Sequence, residues 1–234
     1  MNAAISPENT VVLLLLSLVF TALGFFLGSI PFSLLIGKRF AGVDIRQYGD
    51  HNPGMTNVYH AAGWKFALPA LLLDFFKGAL PVGIAWFWVG LQGNYILPVA
   101  IAPILGHAFS PFLGWRGGKA VATTFGVWAG LTLGAGPIVL GLLVSVMMFV
   151  LTSSAWATIL AFLLYGGFIF GYYALYQPEL FAIWLGNFAV LLVKYYADLN
   201  RQPQIRPALL QRIGRVTGIF YRPKPPPQRR RRRR

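Results

Sequence analysis

Val11-Val-Leu-Leu-Leu-Leu-Ser-Leu-Val-Phe-Thr-Ala-Leu-Gly-Phe-Phe-Leu-Gly-Ser-Ile-Pro-Phe-Ser-Leu-Leu-Ile36 carries no charged side chain. A helix needs about 20 predominantly apolar residues to cross the hydrocarbon core of a bilayer, and this run is long enough. The preceding Met1–Thr10 is short and polar and has no Lys or Arg, so the basic region that opens a signal peptide is missing. The run reads as a first membrane helix entering from outside. Further apolar segments follow at Phe66–Val89, Tyr95–Leu105, Ala120–Leu133, Ile138–Leu151, Ser154–Tyr173 and Phe181–Tyr195, some of them too short to cross untilted. The expected fold is all-α: a polytopic integral membrane protein with about seven transmembrane helices. The break Gly134-Ala-Gly-Pro137 reads either as the end of one helix or as a kink within a longer one.

Composition excludes the soluble classes. Of 234 residues, 56% are hydrophobic and only 11% charged, with a mean hydropathy of +0.61; an ordinary soluble domain has about a quarter of its residues charged. The absence of cysteine from the sequence removes disulfides, thiolate nucleophiles and Cys-based metal sites together. The net charge of +14 suggests nucleic acid at first sight, but its placement argues against that partner.

Seven crossings that start outside put residues 37–65, 106–119, 152–154 and everything after Tyr196 in the cytoplasm. Lys38, Arg39, Arg46, Lys65, Arg116, Lys119 and the basic residues from Arg201 through Arg234 all fall there. The outside pieces Met1–Thr10, Leu91–Asn94, Gly134–Gly136 and Ala174–Glu179 contain no Lys or Arg. Cytoplasmic loops are enriched in these residues, so the N-terminus is expected outside and the C-terminus inside. Residues 1–200 are read as the membrane-embedded domain and 201–234 as a basic cytoplasmic tail, disordered at its end. That end is proline-rich and closes on six arginines, with no aromatic side chains interleaved to stack on bases. Its expected partner is anionic lipid, at about 1 kcal/mol per basic residue near the surface.

Three polar constellations interrupt the apolar pattern. Gly106-His-Ala-Phe-Ser-Pro-Phe-Leu-Gly-Trp-Arg-Gly-Gly-Lys119 lies between two apolar runs and directly precedes a helix-like stretch. Gly117 and Gly118 allow a tight turn and close approach of backbone N–H groups to an anion, the helix start adds donors, and Arg116 and Lys119 add full charges. This describes a phosphate cradle at a membrane surface, although Gly-Gly-Lys alone is also an ordinary turn. Asp74 and Lys77, three apart on one helical face, sit within an apolar span; such groups usually face a bundle interior and mark a site, the alternative being a self-neutralising pair or a snorkelling lysine. The segment Asp44–His60 contains Asn52, Gly54, Thr56 and Asn57, neutral groups suited to orienting a polyol or a phosphate. His51, His60 and His107 match no compact metal-ligand spacing, and neither a metal nor a cofactor is expected. Gly28-Ser29-Ile-Pro31 either breaks the first helix or provides small residues for helix packing.

Gly28-Ser-Ile-Pro-Phe, Asp44-Ile-Arg, Asn52-Pro-Gly-Met-Thr-Asn57, Leu73-Asp-Phe-Phe-Lys-Gly78 and Gly106-His through Gly-Gly-Lys-Ala-Val-Ala-Thr123 together resemble the bacterial acyl-phosphate:glycerol-3-phosphate acyltransferase family, in order and in approximate spacing, over residues 24–125. The resemblance implies a seven-helix enzyme of the bacterial inner membrane with cytoplasmic active-site loops. Its substrates would be acyl phosphate and glycerol 3-phosphate, and its products 1-acyl-glycerol 3-phosphate and phosphate. It also implies that the loop carrying Gly117, Gly118 and Lys119 binds substrate phosphate. The chain departs from the family pattern in Gly49-Asp50-His51-Asn52, where the family has Gly-Ser-Gly-Asn, and at four positions where a family role would fall: Asp50; His60, at a family arginine; and Tyr195 and Asp198, at a family His and Asn. No role is carried onto those four.

The expected reaction is attack of a glycerol hydroxyl on the acyl carbonyl with phosphate leaving, and it needs no covalent enzyme intermediate. In this reading Arg116, Gly117, Gly118 and Lys119 hold one phosphate and Lys77 helps with the other. Ser29, Asn52, Gly54, Thr56, Asn57 and Asp74 position substrate. His107 acts as general base beside Lys119, since its ordinary pKa of roughly 6.5 suits neutral pH. The chain is expected to work as a monomer among membrane lipids. Two alternatives stay open: a non-catalytic paralogue of the same fold, and a small anion transporter.

Overall fold

The computed structural model describes residues 7–173, 175–200 and 202–210. Nine α-helices occur among the described residues: α1 (Pro7–Ser29), α2 (Phe32–Phe40), α3 (Met55–Ala62), α4 (Trp64–Gly83), α5 (Ile96–Ala108), α6 (Val121–Thr132), α7 (Ala135–Val150), α8 (Ser154–Tyr173) and α9 (Pro178–Tyr195). The only strand-like pairing among these residues is an isolated bridge between Leu151 and Ile205. The protein is an all-α integral membrane protein. Its outward side chains include Leu14, Leu18, Val19, Phe26, Leu142, Phe149 and Phe170, an apolar exterior that suits lipid as solvent.

Five helical stretches are long and apolar enough to cross a bilayer: Asn9–Phe40, Trp64–Trp88, Gly93–Leu113, Ser154–Tyr173 and Pro178–Tyr195. The other two, α6 and α7, have 12 and 16 residues, or about 18 and 24 Å at 1.5 Å per residue. They are separate helices. Leu133 and Gly134 both take left-handed backbone conformations, at φ +49° and +93°, which reverses the chain between them. The Gly134–Pro137 break is therefore a turn, not a kink.

The first apolar run is divided as well. The helix stops at Ser29 and restarts at Phe32, because Pro31 offers no N–H to continue the ladder. Gly28 meanwhile packs on the backbone of Pro103 in α5, and Gly106 of α5 packs on the carbonyl of Phe25 in α1, so the two helices touch backbone to backbone. Gly78 of α4 and Gly126 of α6 do the same for their pair, against Thr123 and Phe75. Close crossings of this kind are how small residues join membrane helices. Here they bring α4, α5 and α6 together with the start of α2.

The connections sort to two ends. At one end the Gly93 N–H donates to Glu179 Oε1 at 3.3 Å, joining the loop before α5 to the start of α9. At the other, Lys119 meets Asp50 and Asp198. There also the segment after α9 lies on the end of α7, with Thr152 N–H donating to the Gln204 carbonyl at 2.9 Å and Arg206 N–H to the Val150 carbonyl at 2.8 Å. The arginine-rich end anticipated as a disordered tail lies outside the described residues.

Candidate functional site

The break after α1 leaves the Ile30 carbonyl outside the helical ladder, and Lys77 Nζ donates to it at 2.9 Å. The same ammonium lies 2.7 Å from Asp74 Oδ1 and 5.7 Å from the centre of the Phe32 ring. Asp74 Oδ2 accepts from Ser33 Oγ at 2.6 Å, and the Asp74 carbonyl accepts from Thr123 Oγ1 at 3.0 Å. Lys77 and Asp74 side chains are 2% and 3% exposed. An ion pair so deeply withdrawn from solvent needs such further partners, because desolvation otherwise outweighs attraction.

His107, near the end of α5, joins this pair to the glycine loop. Its Nδ1 stands 3.8 Å from Asp74 Oδ1, too far for a hydrogen bond but close enough to feel the carboxylate. Its carbonyl accepts from Gly118 N–H at 3.0 Å. A Cβ on Gly118 would strike the ring at Nε2, and one on Gly117 would strike the His107 carbonyl. Neither glycine has a positive φ. The physical reason for Gly-Gly is therefore close packing on His107 rather than the tight turn the sequence suggests, and the Gly118 N–H is already engaged. Lys194 of α9 fastens the loop from the other side, donating to the carbonyls of Ala108 and Gly117, both at 2.9 Å.

The loop emerges at the surface with Lys119. Its ammonium lies 2.7 Å from Asp50 Oδ2, 2.7 Å from Asp198 Oδ2 and 4.9 Å from the centre of the Tyr195 ring. Asp50 Oδ1 accepts from Asn57 Nδ2 at 2.8 Å and from the Asn52 N–H at 3.2 Å. Asn57 Nδ2 also donates to the Asn52 carbonyl at 2.8 Å, and Gly54 caps α3 just before it. Burial opposes the charged form of Asp50 most strongly, but the hydrogen bond and charge of Lys119, joined by the hydrogen bonds from Asn57 and Asn52, together outweigh it and hold the carboxyl below its usual range. Burial likewise works against charge on Lys119, and the bonds to Asp198 and Asp50 reverse this and raise it above the ordinary lysine value.

The structure thus gathers Lys77, Asp74, His107, Gly117, Gly118, Lys119, Asn52, Gly54 and Asn57 along one connected path. Three expected residues stand apart from it. Arg116 and Thr56 are exposed, and Ser29 turns its hydroxyl back to the Phe25 carbonyl at 2.7 Å. Ser29 reaches the loop through its own carbonyl, which accepts from Ser110 Oγ at 2.6 Å. Ser33, Lys194 and Ser110 escaped sequence reasoning. Lys194 carried a signal, being a charge inside a span; the two serines carried none. Asp50, Tyr195 and Asp198 were set aside as departures, yet all three surround Lys119. Among the described residues no three His, Cys, Asp or Glu side chains assemble into a group suited to a metal ion.

An all-helical membrane protein with a buried Asp–Lys–His cluster leading to a surface lysine is the class that fold and site define. The glycerol-3-phosphate acyltransferase family matches residues 18–204, and the chain belongs to it. The chain is 48% identical over 118 residues to glycerol-3-phosphate acyltransferase 1 of Thermotoga maritima, covering 50% of this chain and 58% of that protein. It is 47% identical over 115 residues to glycerol-3-phosphate acyltransferase of Leptospira borgpetersenii, covering 49% and 53%. The aligned part spans just over half the length of these curated relatives. A crystal structure of PlsY (YgiH), an integral membrane glycerol 3-phosphate acyltransferase, in its glycerol 3-phosphate form superposes with a TM-score of 0.72 at 28% identity, covering 83% of this chain and 97% of that one. The lysophosphatidic acid form of PlsY gives a TM-score of 0.70 at 26% identity, covering 88% and 94%.

Proposed function

We propose that this chain transfers a fatty acyl group from acyl phosphate to glycerol 3-phosphate, giving 1-acyl-glycerol 3-phosphate and inorganic phosphate. The observation that carries this reading is the continuity of two basic centres through one histidine: Lys77 beside Asp74 in the interior, and Lys119 at the end of the loop packed on His107. Two phosphorylated substrates call for two cationic contacts, and the interior one lies among helices whose apolar surroundings suit an acyl chain. In the proposed reaction the glycerol hydroxyl attacks the acyl carbonyl, its proton passes to His107, and the acyl–oxygen bond to phosphate breaks with phosphate taking the electron pair. Positioning and charge stabilisation by Lys77 and Lys119 supply most of the rate. Asn52, Gly54, Asn57 and Asp74 position the polyol and the lysines, with Ser29, Thr56 and Arg116 at the margin of the site.

The same reading takes residues 1–200 as the acyltransferase domain and 201–234 as a basic tail. It places seven membrane segments in the bacterial inner membrane with the N-terminus outside, so that the end carrying Lys119, Asp50 and Asp198 faces the cytoplasm. One observation favours a second reading, a paralogue that has lost the reaction: Lys119 is already neutralised by two carboxylates. Donor competition separates the two. Purified chain in lipid nanodiscs receives glycerol 3-phosphate with acyl phosphate, acyl-CoA or acyl carrier protein, and product is measured for each. Product from acyl phosphate alone is expected; no product from any donor would favour the non-catalytic paralogue.

A further inference from the structure

Lys119 is held between carboxylates of two separate elements. Asp50 comes from the loop before α3 and Asp198 from the turn after α9, each 2.7 Å from Nζ. Their side chains are 49% and 42% exposed, whereas Lys119 is only 19% exposed. One ammonium and two carboxylates sum to a formal charge of −1, an unfavourable greeting for a bare anion. Asp50 is fixed in place by Asn57 and by the Asn52 N–H, so it does not simply swing away.

We propose that Asp50 and Asp198 determine which phosphate this site accepts, selecting a polyol phosphate ester against inorganic phosphate. This rests on the reading of Lys119 as a phosphate contact. A phosphate reaching Nζ displaces at least one carboxylate, and the displaced oxygens then need new donors. The two carbon-borne hydroxyls of glycerol 3-phosphate supply them while its phosphate stays on Nζ; inorganic phosphate, of similar charge, offers only its own P–OH. The site thereby binds the ester and releases the free phosphate that the proposed reaction generates.

The test measures dissociation constants for inorganic phosphate and glycerol 3-phosphate by titration calorimetry of the full chain in nanodiscs. The variants are Asp50→Asn/Asp198→Asn, Lys119→Ala and the triple combination. Half-exposed ion pairs are each worth about threefold in an equilibrium constant, within the measured range for exposed pairs. Losing both should therefore tighten inorganic phosphate roughly tenfold. Glycerol 3-phosphate should gain much less, so selectivity collapses, and the triple variant should show no gain. Asp198→Asn alone, in an exposed turn, should tighten phosphate about threefold. An equal gain for both ligands, a gain that persists in the triple variant, or no gain at all would overturn the inference. Failure of the underlying reading looks different: Lys119→Ala alone would then leave both affinities unchanged.

Discussion

Replacing Gly117 or Gly118 by alanine probes the join between loop and interior. In Gly118→Ala the new methyl meets three atoms of the His107 ring, Nε2 most closely and then Cδ2 at 3.0 Å and Cε1 at 3.2 Å. The ring has little freedom to retreat, since its residue is tied to the loop through the Gly118 N–H and its Nδ1 lies 3.8 Å from Asp74 Oδ1. In Gly117→Ala the methyl meets backbone instead, the His107 carbonyl and then Ala108 C and O at 2.9 Å. Overpacking of this kind costs about 1–3 kcal/mol, and Gly117→Ala should lie at the upper end because backbone yields less than a side chain. Turnover should suffer more than stability: a misplacement of about 1 Å at a reacting group is worth roughly 100-fold. Gly167→Ala and Gly171→Ala in α8 serve as controls, since a Cβ there meets nothing within 4 Å; they should leave stability equal or raise it by a few tenths up to about 1 kcal/mol. Thermal unfolding in detergent together with acyltransferase turnover reads both effects. Wild-type turnover and melting temperature for Gly117→Ala would refute the close approach of the loop to His107.

Other outcomes follow from individual contacts. Asp74→Asn or Lys77→Met alone should destabilise by about 3–5 kcal/mol, because each leaves a buried charge without its partner. Asp74→Asn with Lys77→Met should cost less than the sum, and a double-mutant cycle by thermal unfolding that came out additive would contradict the pairing. His107→Ala should lower kcat more than it raises KM for glycerol 3-phosphate; equal kcat would remove the proposed base. The Asp44 carboxyl is held well below its usual range, first by the side-chain hydrogen bond from Arg46. Its contribution to the order of the 41–54 loop is therefore complete above about pH 4, the ordinary carboxylate value, and fades as pH falls further. Amide exchange of that loop should be flat from pH 7 to 5 once corrected for intrinsic rate, and Asp44→Asn should show faster exchange throughout.

Much of the fold was legible because a bilayer imposes a simple rule on composition. Val11–Ile36 and Ser154–Tyr173 announce themselves by length and apolarity, and Pro31 marks where the first helix breaks. The turn at Leu133–Gly134 was harder, since a left-handed leucine has no sequence signature and Gly134 alone fits a kink equally well. At the site, Asp74 and Lys77 stood out as charges where charges are expensive. Ser33 and Ser110 did not, because serines are common both in membrane helices and in the loops between them, and only the fold shows that these two reach Asp74 and Ser29. The reason for Gly117 and Gly118 was misjudged for a similar cause: a glycine pair looks alike whether it permits a turn or a close contact, and only the position of His107 decides. Asp50 and Asp198 are far apart in sequence, and nothing short of the folded chain places both on Lys119.

A direct assay of product tests the proposed acyl transfer. Purified chain is given palmitoyl phosphate and glycerol 3-phosphate, with Lys119→Ala run beside it, and lysophosphatidic acid is quantified by mass spectrometry. Product is expected from the wild-type chain, with a fall of about 100-fold or more in the variant, on the scale of removing one charge-stabilising group from an active site. Equal product from both would contradict the assignment of Lys119, and none from either would contradict the reaction itself.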